Sequence, residues 1–223
     1  MGRYDRWEYS LKDVIPADDS PWWDTFVEKI FIAIPKTGSQ SIEYSISTKN
    51  CFGHMFASQF PSKMVNLLVT IVRNPYDRLV SSYEFICRGG FNNNPNYLKI
   101  RDNYKNFEDW VLHGLKSQQF AIPRNMCYSM EEGWKDAILP QYYWLTNEHN
   151  KLILPKENIG RFENLTADVK RLLNIDLTLH YNRSPNKKHL HTYYSNPEVA
   201  KKVYQLYRRD FILFEYSEEV PSI

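Results

Sequence analysis

The sequence is short of the residues that staple, loosen or embed a chain. It has only three cysteines in 223 residues, Cys51, Cys87 and Cys127. An odd, widely spaced set excludes a disulfide framework and offers no CxxC spacing for a metal or redox pair. Buried free thiols in a reducing compartment are expected, with one disulfide plus one thiol as the alternative. There are only 8 glycines, and no repeat or low-complexity tract. No run approaches the ~18 apolar residues that span a bilayer. The start, Met1-Gly2-Arg3-Tyr4-Asp5-Arg6-Trp7, is too charged for a signal-peptide core. A formal net charge of +2 gives no global attraction to nucleic acid or an anionic membrane. An anion site must therefore be local. No metal-ligand spacing is present, so no metal is expected.

What is present suits a globular α/β chain. Hydrophobic residues make up 43% and charged residues 24%, enough apolar material for a packed core. Residues 1–25 read as a surface arm with Pro16 and Pro21, and residues 26–223 as one domain. Lys29–Ile34 is a compact Ile-rich run, a buried strand stopped by Pro35. The polar turn Lys36-Thr37-Gly38-Ser39-Gln40-Ser41 follows, and then a helix carrying Ile42, Tyr44 and Ile46. Asn66–Arg73 is a second buried strand, broken at Asn74-Pro75, with a helix over Asp77–Cys87. Two strand–turn–helix units predict a parallel sheet flanked by helices, similar to a P-loop arrangement. Further along, a helix is expected over Phe107–Leu115, capped by Asn106. Short strands are expected at Leu152–Leu154 and Ile159–Phe162, and a helix from Asn164 to Leu173. A last helix should start at Asn196-Pro197-Glu198 and run to Tyr207 or Asp210.

Both turns suit phosphate. At a helix start the backbone N–H groups point outward and the dipole adds partial positive charge. Lys36 and the hydroxyls add donors, and Gly38 permits close approach. The segment lacks the G-x-x-x-x-G-K-[ST] spacing of an NTPase loop, because Lys36 precedes its single glycine. In the second unit Arg73 ends a strand, with Ser81 on the following helix. An arginine at the carboxyl end of a strand in an open α/β sheet points into the ligand crevice and can grip a phosphate with its fork.

These two segments resemble the cofactor signatures of sulfotransferases that use PAPS, 3′-phosphoadenosine 5′-phosphosulfate. Gly160-Arg161-Phe162-Glu163-Asn164-Leu165 with Asp168 and Leu172 is similar to the "fENL…D…L" segment of the carbohydrate sulfotransferases. Tyr193-Tyr194, Val203-Tyr204, Tyr207, Asp210-Phe211, Phe214 and Tyr216 resemble that group's ending. Within it, the uronyl 2-O-sulfotransferases are the nearest in character. The resemblance implies the sulfotransferase fold and transfer of a sulfuryl group from PAPS to an acceptor hydroxyl, on a glycan first of all. Tyrosyl protein, lipid or small-alcohol acceptors are the alternatives, followed by a nucleotide kinase or a non-catalytic binding module. Lys36 would bind the 5′-phosphosulfate and stabilise the leaving oxygen. Thr37, Gly38, Ser39, Gln40 and Ser41 would cradle the 5′ end, and Arg73 and Ser81 would hold the 3′-phosphate. His54 would be the general base, with Glu43 and Glu84 ranked below it; imidazole titrates near neutrality. Glu163 is expected to tie a strand end to the helix at Asn164. Trp110, Trp134, Tyr142, Tyr143 and Trp144 are expected mainly in the core, or else as an acceptor platform. Lys187 and Lys188 sit in a basic loop that could touch an acceptor. The chain as it stands is expected in the cytoplasm, or in the Golgi lumen if an anchor precedes it.

Overall fold

The computed structural model describes residue 20 and residues 28–46, 53–90, 93–121, 134–177 and 189–222. Most of the amino-terminal arm, Cys51, Cys127, His180, Lys187 and Lys188 lie outside the described residues.

Three parallel strands form one sheet, β1 (Ile30–Ile32), β2 (Leu68–Val72) and β3 (Ile159–Arg161), in the order β1-β2-β3. Ile30 pairs with Leu68, and Val72 pairs with Arg161. The fold is thus mixed α/β, as expected, with helices covering the sheet. Both principal strands are buried on each face, which explains their continuous apolar runs. Alternate residues serve two cores. Ile30, Ile32, Ile34, Leu68 and Val72 join the larger one. Phe31, Ala33, Val69 and Ile71 join the smaller one, with Ile42, Val169 and Leu172. Each such fully buried aliphatic side chain stabilises by about 1.5–3 kcal/mol.

The smaller core lies under α1 (Ser39–Ser45) and α7 (Leu165–Leu173). Gly160 lets α7 come close: a Cβ there would stand 2.6 Å from Ile71 Cδ1 and 2.8 Å from Asp168 Cβ. The larger core holds α2 (Pro75–Cys87), α3 (Pro95–Asn103), α4 (Phe107–Asp109), α5 (Trp134–Ile138), α6 (Gln141–Leu145), α8 (Leu190–Tyr193) and α9 (Pro197–Leu213). The capping signals work locally. The Asn74 side chain accepts from Tyr76 N and Asp77 N, with Pro75 opening α2. Asn106 accepts from Asp109 N, and Asn196 from Glu198 N.

The structure departs from the sequence expectations in several places. β1 stops at Ile32, although Ala33 and Ile34 remain buried. Ser62–Leu67 coils into a 3₁₀ helix before β2 begins. Among the described residues Leu152–Leu154 makes only one isolated antiparallel bridge, Thr146 to Leu152, beside the end of α6. After Asp109 the α-helix widens to a π-helical turn over Trp110–Gly114. Asn164 precedes α7 without a side-chain cap. The last helix passes Tyr207 at a kink (φ −108°, ψ 15°) and ends at Leu213.

Candidate active site

Parallel strands bring their carboxyl ends to one edge, where an open α/β sheet forms its ligand crevice. β1 leads there into Pro35–Gly38, β2 into Arg73-Asn74, and β3 into Phe162-Glu163. Arg73 Nη1 donates to Lys36 O at 3.0 Å. Its guanidinium lies 4.0 Å over the Phe162 ring. Asn74 N donates to Glu163 Oε1 at 2.7 Å, and Tyr216 Oη to Glu163 Oε2 at 3.0 Å. Glu163 is structural, but it ties β3's end to β2's turn and the carboxyl-terminal tail rather than to Asn164.

The first turn is held in an unusual shape. Lys36 has φ 68° and Gly38 φ 82°. A left-handed residue with a side chain costs roughly 1–2 kcal/mol, and surrounding bonds offset this at Lys36. Arg78 Nε donates to Pro35 O at 2.9 Å, and Thr37 Oγ1 donates to Ile34 O at 2.9 Å. At Gly38 a Cβ would come 3.1 Å from both Phe162 and Leu165. α1 starts here with no side-chain cap and no acid in its first turn. Ser39 and Ser41 are buried, and Gln40 is half-buried. The Lys36 ammonium reaches along α2 to lie 4.0 Å over the Phe85 ring. Burial, then repulsion from Arg73, Arg88 and Arg78, lowers its pKa from 10.5 to about 7.

The second turn carries the arginines. Arg73 Nε donates to Asp77 Oδ2 at 2.8 Å, and Nη2 pairs with the same oxygen at 2.7 Å. With Lys36 O this engages three of the five N–H groups an arginine carries, leaving two that no described residue takes. Asp77, Ser81 and Phe85 follow one stripe of α2 at spacings of four residues, and Arg88 caps its carboxyl end. Ser81 is half-buried on that stripe. Its neighbour Ser82 is fully buried and bonds Ala137 O at 2.6 Å and Arg78 O at 3.0 Å. Arg78 is 2% exposed, and its Nη2 has no hydrogen-bond partner among the described residues.

His54 lies in the loop before Met55. Its Nδ1 is 2.6 Å from Ala33 O, just beyond β1. A carbonyl only accepts, so in this contact Nδ1 carries the proton. The ring stands edge-on to Trp144 at 6.0 Å. Burial raises the Glu43 carboxyl on α1, while nearby His54 pulls it down. Glu84 faces elsewhere: its Oε1 accepts from Tyr193 Oη at 2.7 Å, on the α8 side. Trp110 and Trp144 are core residues, and Trp134, Tyr142 and Tyr143 are half-buried.

Three residues at this edge escaped the sequence reading. The Gln141 side chain bonds both Arg73 N and Arg73 O at 2.8 Å. Asp210 accepts from Gln141 N at 2.8 Å and Tyr142 N at 2.7 Å. Arg78 supports the first turn from the second. Its one signal is an arginine set among apolar residues on the buried side of α2. Among the described residues no helix is long and apolar enough to cross a membrane, and no group of three His, Cys, Asp or Glu is placed to hold a metal.

Taken together, a three-stranded parallel sheet with Lys36, Arg73 and Arg78 gathered at its carboxyl edge defines a mixed α/β protein. A sequence profile of the sulfotransferase family matches residues 28–217, which include all three strands and both turns. The chain belongs to the sulfotransferase family, whose reaction is transfer of a sulfuryl group to an acceptor. No curated protein and no solved structure matches it significantly.

Proposed function

We propose that the protein transfers a sulfuryl group from PAPS to a hydroxyl of a carbohydrate acceptor. The observation that carries this reading is the Lys36 environment. Arg73, Arg88 and Arg78 each repel the Lys36 ammonium at the sheet edge. Among the described residues, Asp77 bonds Arg73, and Asp210 acts on Arg78 through its charge. Buried cations cost free energy unless an anion pairs with them. A ligand with phosphates at both ends supplies that charge, and the unpartnered Arg78 Nη2 fits the same need. When bound, PAPS supplies the activated sulfuryl group.

The chain's own residues then do the following. Thr37, Gly38, Ser39, Gln40 and Ser41 surround the 5′ end at the start of α1. Lys36, returned to its charged form by the anion, stabilises negative charge on the leaving phosphate oxygen. The two remaining Arg73 N–H groups and the Ser81 hydroxyl hold the 3′-phosphate. His54 Nε2 takes the acceptor proton, with the ring aligned by Ala33 O. Transfer depends mostly on positioning and electrostatics, as in phosphoryl transfer. The carbohydrate acceptor is supported by the likeness of Gly160–Leu172 and the tail to carbohydrate sulfotransferases. In the fold, Gly160, Asp168 and Leu172 seat α7 against β3, and Asp168 Oδ2 accepts from Arg161 N at 2.8 Å.

The test is transfer of labelled sulfate from PAPS to a panel of uronic-acid glycans, neutral glycans, tyrosyl peptides and lipid alcohols. Glycan labelling that is lost in Lys36→Ala supports the reading. Labelling of peptide or lipid alone would overturn the acceptor assignment, and no labelling of any acceptor would overturn the activity.

A further inference from the structure

Arg73 sits one residue past the end of β2, where the ladder has run out. Its backbone still has two strand-like hydrogen bonds. The Gln141 amide donates through Nε2 to Arg73 O and accepts through Oε1 from Arg73 N, both at 2.8 Å. A single side chain thus takes the place of a neighbouring strand. Gln141 is in turn fixed by Asp210, whose two oxygens accept from Gln141 N and Tyr142 N at the start of α6. Gln141 and Asp210 are both 0% exposed. Burial raises the Asp210 pKa to about 6, and the two backbone N–H bonds its oxygens accept favour the charged form. The far end of Arg73 is held separately, by Asp77, Lys36 O and the Phe162 ring.

We propose that Gln141 and Asp210 are positioning residues that hold Arg73 in register for the 3′-phosphate, so that α9 sets the cofactor's geometry from outside the two phosphate turns. This rests on the reading of Arg73 given above. The relay joins positions 68 and 69 residues apart in sequence. Neither Gln141 nor Asp210 touches the ligand in this scheme. Removing either frees the Arg73 backbone while leaving its guanidinium chemistry intact. The loss should therefore fall on recognition of the 3′-phosphate and spare the rest of the nucleotide.

The test is isothermal titration of the full chain with 3′-phosphoadenosine 5′-phosphate and with AMP. The readout is the ratio of the two affinities in wild type, Gln141→Glu and Asp210→Asn. Gln141→Glu keeps the volume but turns a carboxylate oxygen toward Arg73 O. Asp210→Asn keeps the volume but loses one acceptor. The relay predicts a ratio about tenfold lower in each variant, with AMP affinity little changed. A fold-wide loosening would weaken both ligands alike. Variants that are folded by circular dichroism and discriminate as well as wild type would overturn the relay alone. A wild type that binds the two nucleotides equally would remove Arg73 from the 3′-phosphate and the relay with it, a failure visible before any variant is made. Should neither variant fold, amide hydrogen exchange on the wild type decides. The relay predicts a slowly exchanging Arg73 N–H, slowed further by the bisphosphate, and exchange at loop rates in both states would contradict it.

Discussion

The two strand–turn–helix units meet at one edge of the sheet, yet their helices begin in opposite ways. α1 starts from a left-handed Gly38, with no side-chain cap and no acid in its first turn. α2 starts from Asn74, whose side chain takes the N–H groups of Tyr76 and Asp77, with Pro75 in place and Asp77 adding an acid. The first start leaves the dipole's positive end open toward a ligand. The second is closed by its own residues, so any anion it binds must be held by side chains. On the function proposed above, the contrast separates two ways of building an anion site: backbone and Lys36 in the first unit, the Arg73 fork in the second.

The largest expected effect breaks the first unit. Lys36→Ala should reduce sulfuryl transfer by roughly a thousandfold or more while the chain still folds, as judged by initial rates beside a melting curve. His54→Ala should lower turnover by about a hundredfold or more and leave bisphosphate binding unchanged, because it removes a proton acceptor and no phosphate contact. Arg73→Ala breaks the second unit. Affinity for 3′-phosphoadenosine 5′-phosphate should fall by about 10–100-fold, and affinity for AMP by far less, in parallel titrations. Equal losses for both nucleotides would erase the distinction between the units.

A pH series sharpens the comparison. The Lys36 pKa is about 7 in the folded chain against 10.5 ordinarily. Between those values the unfolded chain holds a proton that the folded chain has released, so this group's contribution favours folding more as pH rises. An anionic ligand draws the proton back. Bisphosphate affinity should then decline above pH 7, by up to about tenfold per pH unit, and calorimetry in two buffers should detect proton uptake. Lys36→Met should flatten the profile. The second unit relies on guanidinium chemistry, which gives no such slope in this range. The smallest effect is structural: Asn74→Ala should cost about 1 kcal/mol in denaturant unfolding. The first unit has no equivalent side-chain cap to remove.

The parts of this architecture that depend on near neighbours were readable in the sequence. Continuous apolar runs marked β1 and β2, and Asn196-Pro197 marked the start of α9, whereas Asn74-Pro75, read as the break after β2 with a helix from Asp77, also opens α2. Lys36 and Arg73 stood where strands end, and strand ends are where parallel sheets bind. The likeness at Gly160, Asp168 and Leu172 turned out to describe the seat of α7 on β3. What stayed hidden depends on distant partners. Nothing near Gln141 says that its amide will continue the ladder of β2, and nothing near Asp210 says that it will cap α6. The same holds for Glu84, which shares a helix with Ser81 but turns to Tyr193. Leu152–Leu154 had a strand's composition and, among the described residues, only one isolated bridge.

The most direct test of the account is a thermal-shift titration with 3′-phosphoadenosine 5′-phosphate, AMP and ATP with Mg²⁺. A ligand that binds only the folded state raises Tm according to its affinity. The account predicts a clear rise with the bisphosphate in the absence of metal, a smaller one with AMP, and loss of the difference in Arg73→Ala. A rise with ATP and Mg²⁺ alone would contradict it.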